Sequence, residues 1–259
     1  LPAILLVGTL LRLYQLTTES LWMDEMLSIH DAQHLDFSSR VFFYAALRLW
    51  MSVSEADAWL RLFSVFCGIA TIALTYAIGT RLYDRTVGLL SAAMIALSPL
   101  FIFHSQEVRM YMLSTALTLV GTLALLHGFR QPQRSRPLAI WAITRLLSLY
   151  TVPLNLLLLL ADALLIAFQF WHQPRYLRKF GLGVLLVGLL WLPVTYNLVT
   201  VATPDFAAET AREVPGPQEL LAMITALTTY WPLRTLAAPY TLLYGFYSLA
   251  ALALLGWTI

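Results

Sequence analysis

The chain has 259 residues, of which 59% are hydrophobic and only 12% are charged, and its mean hydropathy is +0.74. This composition excludes a water-soluble globular protein and indicates a membrane protein. The formal net charge of +2 leaves no basic excess for a polyanion, so nucleic-acid binding is excluded as the main function. The single cysteine, Cys67, excludes a disulfide framework and a cysteine metal site.

About eight runs of the chain are apolar enough to cross a bilayer, whose core of about 30 Å needs about 20 helical residues. Runs this long and continuous exceed what barrel strands contain, so we predict an all-α, polytopic transmembrane helical bundle. The first run is short for a span, and the fifth contains Arg145. In chain order the runs cover residues 1–13, 60–79, 87–103, 110–126, 138–152, 154–170, 180–199 and 236–259.

The charges of the connections predict how the chain is threaded through the membrane. The connections after the second, fourth and sixth runs hold eight of the 16 basic residues and one acid, which indicates a cytoplasmic location. Twelve of the 14 carboxylates lie in the opposite set of connections, which we therefore expect on the outer face. Because the chain begins and stops inside apolar runs, we expect one transmembrane domain over residues 1–259 that is incomplete at one or both ends.

Two outer connections are long enough to hold structure of their own, namely residues 14–59 and 200–235. Within the first loop, Arg40, Tyr44 and Arg48 lie on one face of a helical pattern. The other face of that pattern is apolar and consists of Phe42, Ala46, Leu49, Trp50 and Val53. This alternation predicts an amphipathic helix in the membrane interface.

The first candidate site is the adjacent pair Asp24 and Glu25, which follows Trp22 a few residues beyond the first apolar run. A carboxylate at the membrane surface beneath an aromatic side chain can act as a general base. The alternative is that both acids are solvated loop residues, which are common in acidic outer loops.

The second candidate site lies at the outer junction of the third and fourth runs and includes His104, Glu107, Arg109 and Tyr111. Here a helix N-terminus and the Arg109 guanidinium can converge on one anion, and a planar guanidinium suits phosphate. Glu107 would repel a phosphate, so it either holds Arg109 in place or meets a second substrate. The alternative is a snorkelling Arg109 that pairs with Glu107 for stability.

Other ionisable residues are weaker candidates. His30 and His34 are one helical turn apart, but no third ligand has suitable spacing, so a polar face is favoured and no metal site is assigned. Glu55 and Asp57 have the spacing that can hold a divalent cation, but Asp57 also forms a capping-box pattern with Ser54, and this cap is the favoured interpretation. Arg145 and Asp162 lie within predicted spans, where an ionisable group indicates either a function or the pairing of helices.

The order of these features resembles the GT-C membrane glycosyltransferases, in particular the bacterial protein O-mannosyltransferases and lipid A aminoarabinose transferases. The resemblance covers residues 11–167. It consists of the Asp-Glu pair after the first run, the interfacial helix, Trp59-Leu-Arg61-Leu-Phe-Ser, Gln106-Glu107-Val-Arg109-Met-Tyr111 and Leu149-Tyr-Thr151.

The resemblance implies an inverting transferase that moves a sugar from a polyprenyl phosphate to an acceptor protein or lipid. The active site would lie on the extracytoplasmic face of a bacterial plasma membrane. Asp24 would deprotonate the acceptor hydroxyl, and Glu25 would position Asp24 or the acceptor. Arg109 and Tyr111 would bind the lipid phosphate as it leaves. His104 and Glu107 lie beside them and would also contact the substrate. This hypothesis expects Asp24 and Arg109 to face one outer cavity that is open to lipid.

Two other functional classes remain as alternatives. The chain has Ser38-Ser39-Arg40-Val41 where family members commonly have His-Pro-Pro, and it is shorter than most of them. A catalytically silent subunit that scaffolds a larger membrane complex would fit these departures. A transporter fits less well, because transporters concentrate ionisable groups at mid-membrane and this chain concentrates them at its predicted outer surface.

Overall fold

The protein is described by a computed structural model over residues 1–35, 38 and 40–201. These residues form helices and no strand, which confirms the all-α prediction. The helices are α1 Pro2–Leu13, α2 Met23–His34, α3 Val41–Met51, α4 Asp57–Leu82, α5 Arg85–Leu97, α6 Pro99–Ser105, α7 Tyr111–Arg130, α8 Arg136–Leu149, α9 Leu156–Phe170 and α10 Pro174–Val201. A 3-10 turn, Pro153–Asn155, leads into α9.

Four segments in the described ranges are long and apolar enough to cross a membrane: Asp57–Leu82, Tyr111–Arg130, Pro153–Phe170 and Pro174–Val194. The pair α5 and α6 makes a fifth if its two helices form one broken span. The chain is therefore a membrane protein by the length and composition of its helices.

The predicted number of about eight spans is not reached in this part of the chain, because a span needs about 20 residues. The predicted runs 1–13 and 138–152 are helices of 12 and 14 residues. At 1.5 Å per residue they measure about 18 and about 21 Å, which is less than a bilayer core. The eighth predicted span, residues 236–259, and nearly all of the second outer loop, 200–235, lie outside the described residues.

The predicted run 87–103 is broken into two helices that meet at an angle of 59°. Ser98 has an extended backbone with ψ of 121°, and Pro99 begins α6. Proline disfavours helical geometry in the residue before it and lacks the N–H that would continue the helix, so the break follows from the local sequence.

Basic and acidic connections separate to opposite ends of the bundle. At one end, which we name the basic end, Arg130 Nη2 donates to the Arg81 carbonyl at 2.8 Å and Lys179 Nζ donates to the Pro132 carbonyl at 2.9 Å. These bonds connect the three basic connections predicted to share a side. The acidic end holds α2, α3 and the connection from α6 to α7, and the Phe42 N–H there donates to the Tyr150 carbonyl at 3.2 Å.

Helix α3 has apolar side chains on both faces. Its buried side consists of Phe43, Tyr44, Leu47 and Met51. Leu49 and Val53, predicted on one apolar face, are 76% and 70% exposed, and Tyr44, predicted on the polar face, is buried. Helix α3 packs on α2 and α4 with the side that holds Tyr44 and presents apolar residues outward with the other, and its location in the membrane interface stays a prediction.

Two buried charges inside the bundle form a pair between α8 and α9. Arg145 Nε lies 2.5 Å from Asp162 Oδ2, and Trp141 Nε1 donates to the same oxygen at 2.7 Å. Arg145 Nη1 also donates to the Thr118 carbonyl on α7 at 2.7 Å. Of the two interpretations of these charges, the contacts favour the pairing of helices.

Small residues let α4 and α5 approach closely at the basic end. A Cβ added to Gly79 would lie 2.9 Å from Gly88 Cα, whereas a Cβ on Gly181 would meet nothing within 4 Å. Close approach through small residues is a general device of membrane helix packing.

Gly79→Ala is expected to lower the free energy of unfolding by about 1–3 kcal/mol, because backbone atoms of α5 must shift to admit the methyl group. The measurement is the thermal unfolding midpoint of the purified chain in detergent. Gly181→Ala is the control, and its midpoint should stay unchanged or rise slightly, since alanine favours a helix. Equal midpoints for the two variants would contradict the tight α4–α5 contact.

Candidate functional site

The connection between α6 and α7, residues 106–110, contacts the end of α1 and helix α2 at the acidic end. Gln106 Nε2 donates to the Tyr14 carbonyl at 2.8 Å and to the Arg12 carbonyl at 3.1 Å, which satisfies carbonyls at the end of α1. The Val108 N–H donates to Glu25 Oε1 at 2.9 Å, and Arg109 contacts α2. The connection therefore fixes the first outer loop against the bundle.

Glu25 is fully buried and its carboxylate is satisfied by protein groups. Arg61 donates through Nε to Oε1 at 3.1 Å and through Nη2 to Oε2 at 2.9 Å. The Trp22 N–H donates to Oε2 at 3.2 Å, so Glu25 also caps the first turn of α2. A carboxylate with these partners and no exposure positions its neighbours, and no substrate reaches it in this arrangement.

Arg61, which lies on α4, also binds backbone carbonyls at the beginning of the first outer loop. Its Nη1 donates to the carbonyls of Leu16 at 2.7 Å and Glu19 at 2.9 Å. Its Nη2 also reaches the Ser20 carbonyl at 3.3 Å. The beginning of the first outer loop thus folds around one guanidinium, which also neutralises the buried Glu25.

Asp24, the residue before Glu25, has a different environment. Its side chain is 41% exposed, and its Oδ2 lies 3.4 Å from Nη2 of Arg109, whose side chain is 11% exposed. Arg109 Nη1 donates to the Asp24 carbonyl at 2.9 Å and to Ser28 Oγ at 3.2 Å. The two candidate residues therefore meet, but they touch directly and have no open space between them.

Arg109 retains unused donor capacity. Its Nε is buried and has no hydrogen-bond partner among the described residues. The ion-pair partner found for Arg109 is Asp24, and the snorkelling alternative that pairs Arg109 with Glu107 does not match the contacts. An unsatisfied guanidinium N–H favours an additional acceptor, and charged acceptors such as anions bind it most strongly.

His104, Glu107 and Tyr111 form a second group next to this pair. His104 Nδ1 lies 3.1 Å from Glu107 Oε2, and the side chain of Glu107 is only 7% exposed. The His104 and Tyr111 rings are 4.6 Å apart, and Arg109 Cζ lies 5.8 Å from the centre of the Tyr111 ring. Tyr111 thus links the histidine–carboxylate pair to the arginine.

A cavity of about 230 Å³ opens beside His104 and Tyr111, between α6 and α7. We name it the α6–α7 cavity. Leu100, Phe101, Met112 and Val152 supply its apolar wall, and Ser114 and Thr115 add hydroxyl groups. It is smaller than most ligand pockets, which measure about 300–1,000 Å³.

The residues with metal-ligand spacing do not assemble into a site in the described ranges. The His30 and His34 rings are 4.2 Å apart, but His34 Nδ1 lies 2.9 Å from the His30 carbonyl. No group of three or more His, Cys, Asp or Glu residues that could hold a metal occurs among the residues described.

Sequence reasoning did not assign Arg12, Ser28 or Arg61 to the site. Arg12 is fully buried and donates through Nε to Ser105 Oγ at 3.1 Å and through Nη1 to the Ala96 carbonyl at 3.1 Å. The available signal was an arginine within or beside an apolar run, which must find polar partners inside the protein.

Comparisons of the chain with protein-family models, with curated proteins and with solved structures find no match. The interpretation of the site therefore depends on its own geometry and chemistry.

Proposed function

We propose that this protein is an inverting glycosyltransferase of the GT-C class that takes a sugar from a polyprenyl phosphate. The observation that carries the proposal is the contact of Asp24, an exposed carboxylate, with Arg109, a largely buried guanidinium that has a donor to spare. A base and a phosphate-binding cation are the two groups that this transfer needs, and inversion requires them on opposite faces of the sugar, so the bound donor must separate Asp24 from Arg109.

In the proposed reaction the acceptor hydroxyl oxygen attacks the anomeric carbon of the sugar, and the bond between that carbon and the phosphate oxygen breaks. The hydroxyl proton passes to the Asp24 carboxylate. The electron pair of the broken bond leaves with the phosphate, whose added charge is neutralised by Arg109. Attack from the face opposite the leaving phosphate inverts the anomeric centre.

Donor binding prepares the base in this scheme. When the lipid phosphate binds Arg109, it replaces Asp24 as the partner of the guanidinium, and Asp24 becomes free to accept a proton. The direct Asp24–Arg109 contact is then the resting state of the site.

Neighbouring residues position the reacting groups and the lipid. Glu25 and Arg61 hold the first turn of α2, and with it Asp24, against the connection 106–110. The apolar wall of the α6–α7 cavity suits the first part of a polyprenyl chain, and Tyr111 and the His104–Glu107 pair at its rim suit sugar hydroxyls. The cavity must widen to hold more of the donor, because it is smaller than most ligand pockets.

The proposal also includes how the helices described above lie in the membrane. In this proposal the four or five segments of sufficient length and the short helices α1 and α8 lie in the membrane, and the run 236–259, predicted from sequence to span, brings the number to about eight. The basic end faces the cytoplasm by the positive-inside rule, which puts Asp24 and Arg109 on the extracytoplasmic side of a bacterial plasma membrane. The acceptor is a protein or a lipid at that surface.

The test is a transfer assay in which the purified chain, in detergent with added lipid, receives a radiolabelled polyprenyl-phosphate sugar. Arg109→Lys keeps the charge but loses the planar fork of donors, so we expect about a tenfold loss of kcat/KM. Most of the change should lie in kcat, because the phosphate gains charge in the transition state. Parallel reactions with a chelator and with added Mg²⁺ determine whether a divalent cation takes part.

Arg48→Lys is the matched control, because Arg48 is an exposed arginine of α3 at the same end of the bundle. It should retain full activity. Transfer that is unaffected by Arg109→Lys would show that Arg109 does not bind the leaving phosphate.

A silent scaffolding subunit is the second candidate, and the closed Asp24–Arg109 contact favours it, since no open space separates the two groups. This alternative requires that no lipid-linked sugar is transferred. It also requires that the chain copurifies with a defined membrane complex and that the complex falls apart when the chain is removed.

A further inference from the structure

A second pocket, which is polar, lies at the basic end, far from the site proposed for transfer. It has a volume of about 450 Å³ and is formed by the end of α4 together with Arg130 at the end of α7. We name it the basic-end pocket. Tyr76, Thr80, Arg81, Tyr83 and Arg130 line it.

The two arginines of this pocket have no carboxylate partner among the described residues. The contact found for the Arg81 guanidinium joins its Nη1 to Nε2 of the His127 ring. His127 Nδ1 lies 2.8 Å from the Leu123 carbonyl, so a neutral ring that donates there accepts from Arg81 through Nε2. Asp84, the nearest acid in sequence, accepts from the Val87 N–H at 2.8 Å and caps α5 instead.

A purely structural role accounts for only part of this arrangement. Arginines at the ends of α4 and α7 are favourable because helix C-termini carry partial negative charge. Arg130 Nη2 does bond one such carbonyl, that of Arg81. The other donors of the two guanidiniums have no contact with protein acceptors in the described part of the chain, so two positive charges remain available to an anion.

The chemistry of the pocket is suited to a phosphate group. Two guanidiniums present several N–H donors that match tetrahedral phosphate oxygens, and the Tyr76 and Tyr83 hydroxyls belong to the same wall. Leu82 and Tyr83 are 53% and 76% exposed beside the pocket, so it opens next to an apolar surface. Basic pockets between membrane helices on the cytoplasmic side bind the headgroups of anionic lipids.

We propose that the basic-end pocket binds the phosphate of an anionic membrane lipid. The headgroup phosphate lies between Arg81 and Arg130, and its acyl chains extend along the exposed apolar residues at the end of α4. This inference does not depend on the proposed glycosyl transfer, because it uses different residues at the opposite end of the bundle.

The experiment measures binding of short-chain phosphatidylglycerol to the full chain in detergent, by native mass spectrometry and by the rise of the thermal unfolding midpoint. Phosphatidylcholine, which has no net charge, is the reference lipid. Arg130→Gln is the main variant, because Arg130 is exposed and its replacement spares the core. We expect it to weaken phosphatidylglycerol binding about fivefold, the effect of roughly one arginine at an anionic headgroup.

Arg134→Gln is the matched control, since Arg134 is an exposed arginine at the same end that does not line the pocket. It should change binding less than twofold (~0.4 kcal/mol). A third arm uses inorganic phosphate alone: if it stabilises the chain as well as the lipid does, and Arg130→Gln removes the effect, the site is supported with soluble phosphate as its ligand. Equal losses in the two variants, or no loss with Arg130→Gln, would overturn the proposal.

Discussion

Glu25→Gln is expected to destabilise the folded chain by about 3–5 kcal/mol, because it leaves Arg61 as a buried charge without a counter-ion. Both oxygens of Glu25 accept hydrogen bonds, from Arg61 and from the N–H groups of Trp22 and Val108. An amide can accept through one oxygen only, so its NH₂ group faces donors and breaks part of this network. The measurement is the midpoint of thermal unfolding in detergent, together with the yield of monodisperse protein.

Glu19→Gln is the control for this prediction. It removes the same charge from the same loop, but Glu19 is exposed, so the midpoint should change little. A Glu25→Gln chain that unfolds at the same temperature as Glu19→Gln would show that the buried Glu25–Arg61 pair does not hold the acidic end together.

Asp24→Asn is expected to lower the rate of sugar transfer by a factor of about 10²–10⁴, because asparagine cannot accept the proton of the acceptor hydroxyl. The fold should persist. Asparagine still accepts a hydrogen bond from Arg109, and the 3.4 Å contact that it replaces is partly exposed, at 41% for Asp24. A partly exposed ion pair of this kind contributes at most about 1 kcal/mol to the free energy of unfolding. The measurements are kcat and KM for the lipid donor, and the loss should lie in kcat.

Asp31→Asn provides the comparison, because Asp31 lies on the same helix and is 44% exposed. Its rate of transfer should equal that of the unmodified chain. An Asp24→Asn chain that retains its rate and unfolds normally would exclude Asp24 as the base while leaving the architecture of the site intact.

Several features of the fold could be predicted because they depend on composition and local pattern. Helices long enough for a membrane follow from long apolar runs, since lipid leaves the backbone no other way to satisfy its polar groups. The separation of basic and acidic connections to opposite ends follows from their alternation along a chain that crosses back and forth. The break at Ser98 was also encoded locally by Pro99, but a count of apolar residues does not register it.

The candidate site was predictable only as a set of residue types at the correct end of the bundle. A contact of Arg109 with Glu107, two residues away, was one of the alternatives, yet Arg109 pairs with Asp24, and Glu107 pairs with His104. Side chains two residues apart point in different directions in a compact connection. Which distant group each one meets depends on how α2 packs against residues 106–110.

Asp24 and Glu25 show most clearly what each level of structure decides. Their sequence determined that two adjacent carboxylates follow the first apolar run at the acidic end, because the residue order and that run require it. Only the tertiary structure decided that Glu25 is buried against Arg61 while Asp24 stays 41% exposed beside Arg109. Successive residues of a helix point about 100° apart, so the packing of α2 on α4 and on residues 106–110 selects which acid is enclosed and which can meet a substrate.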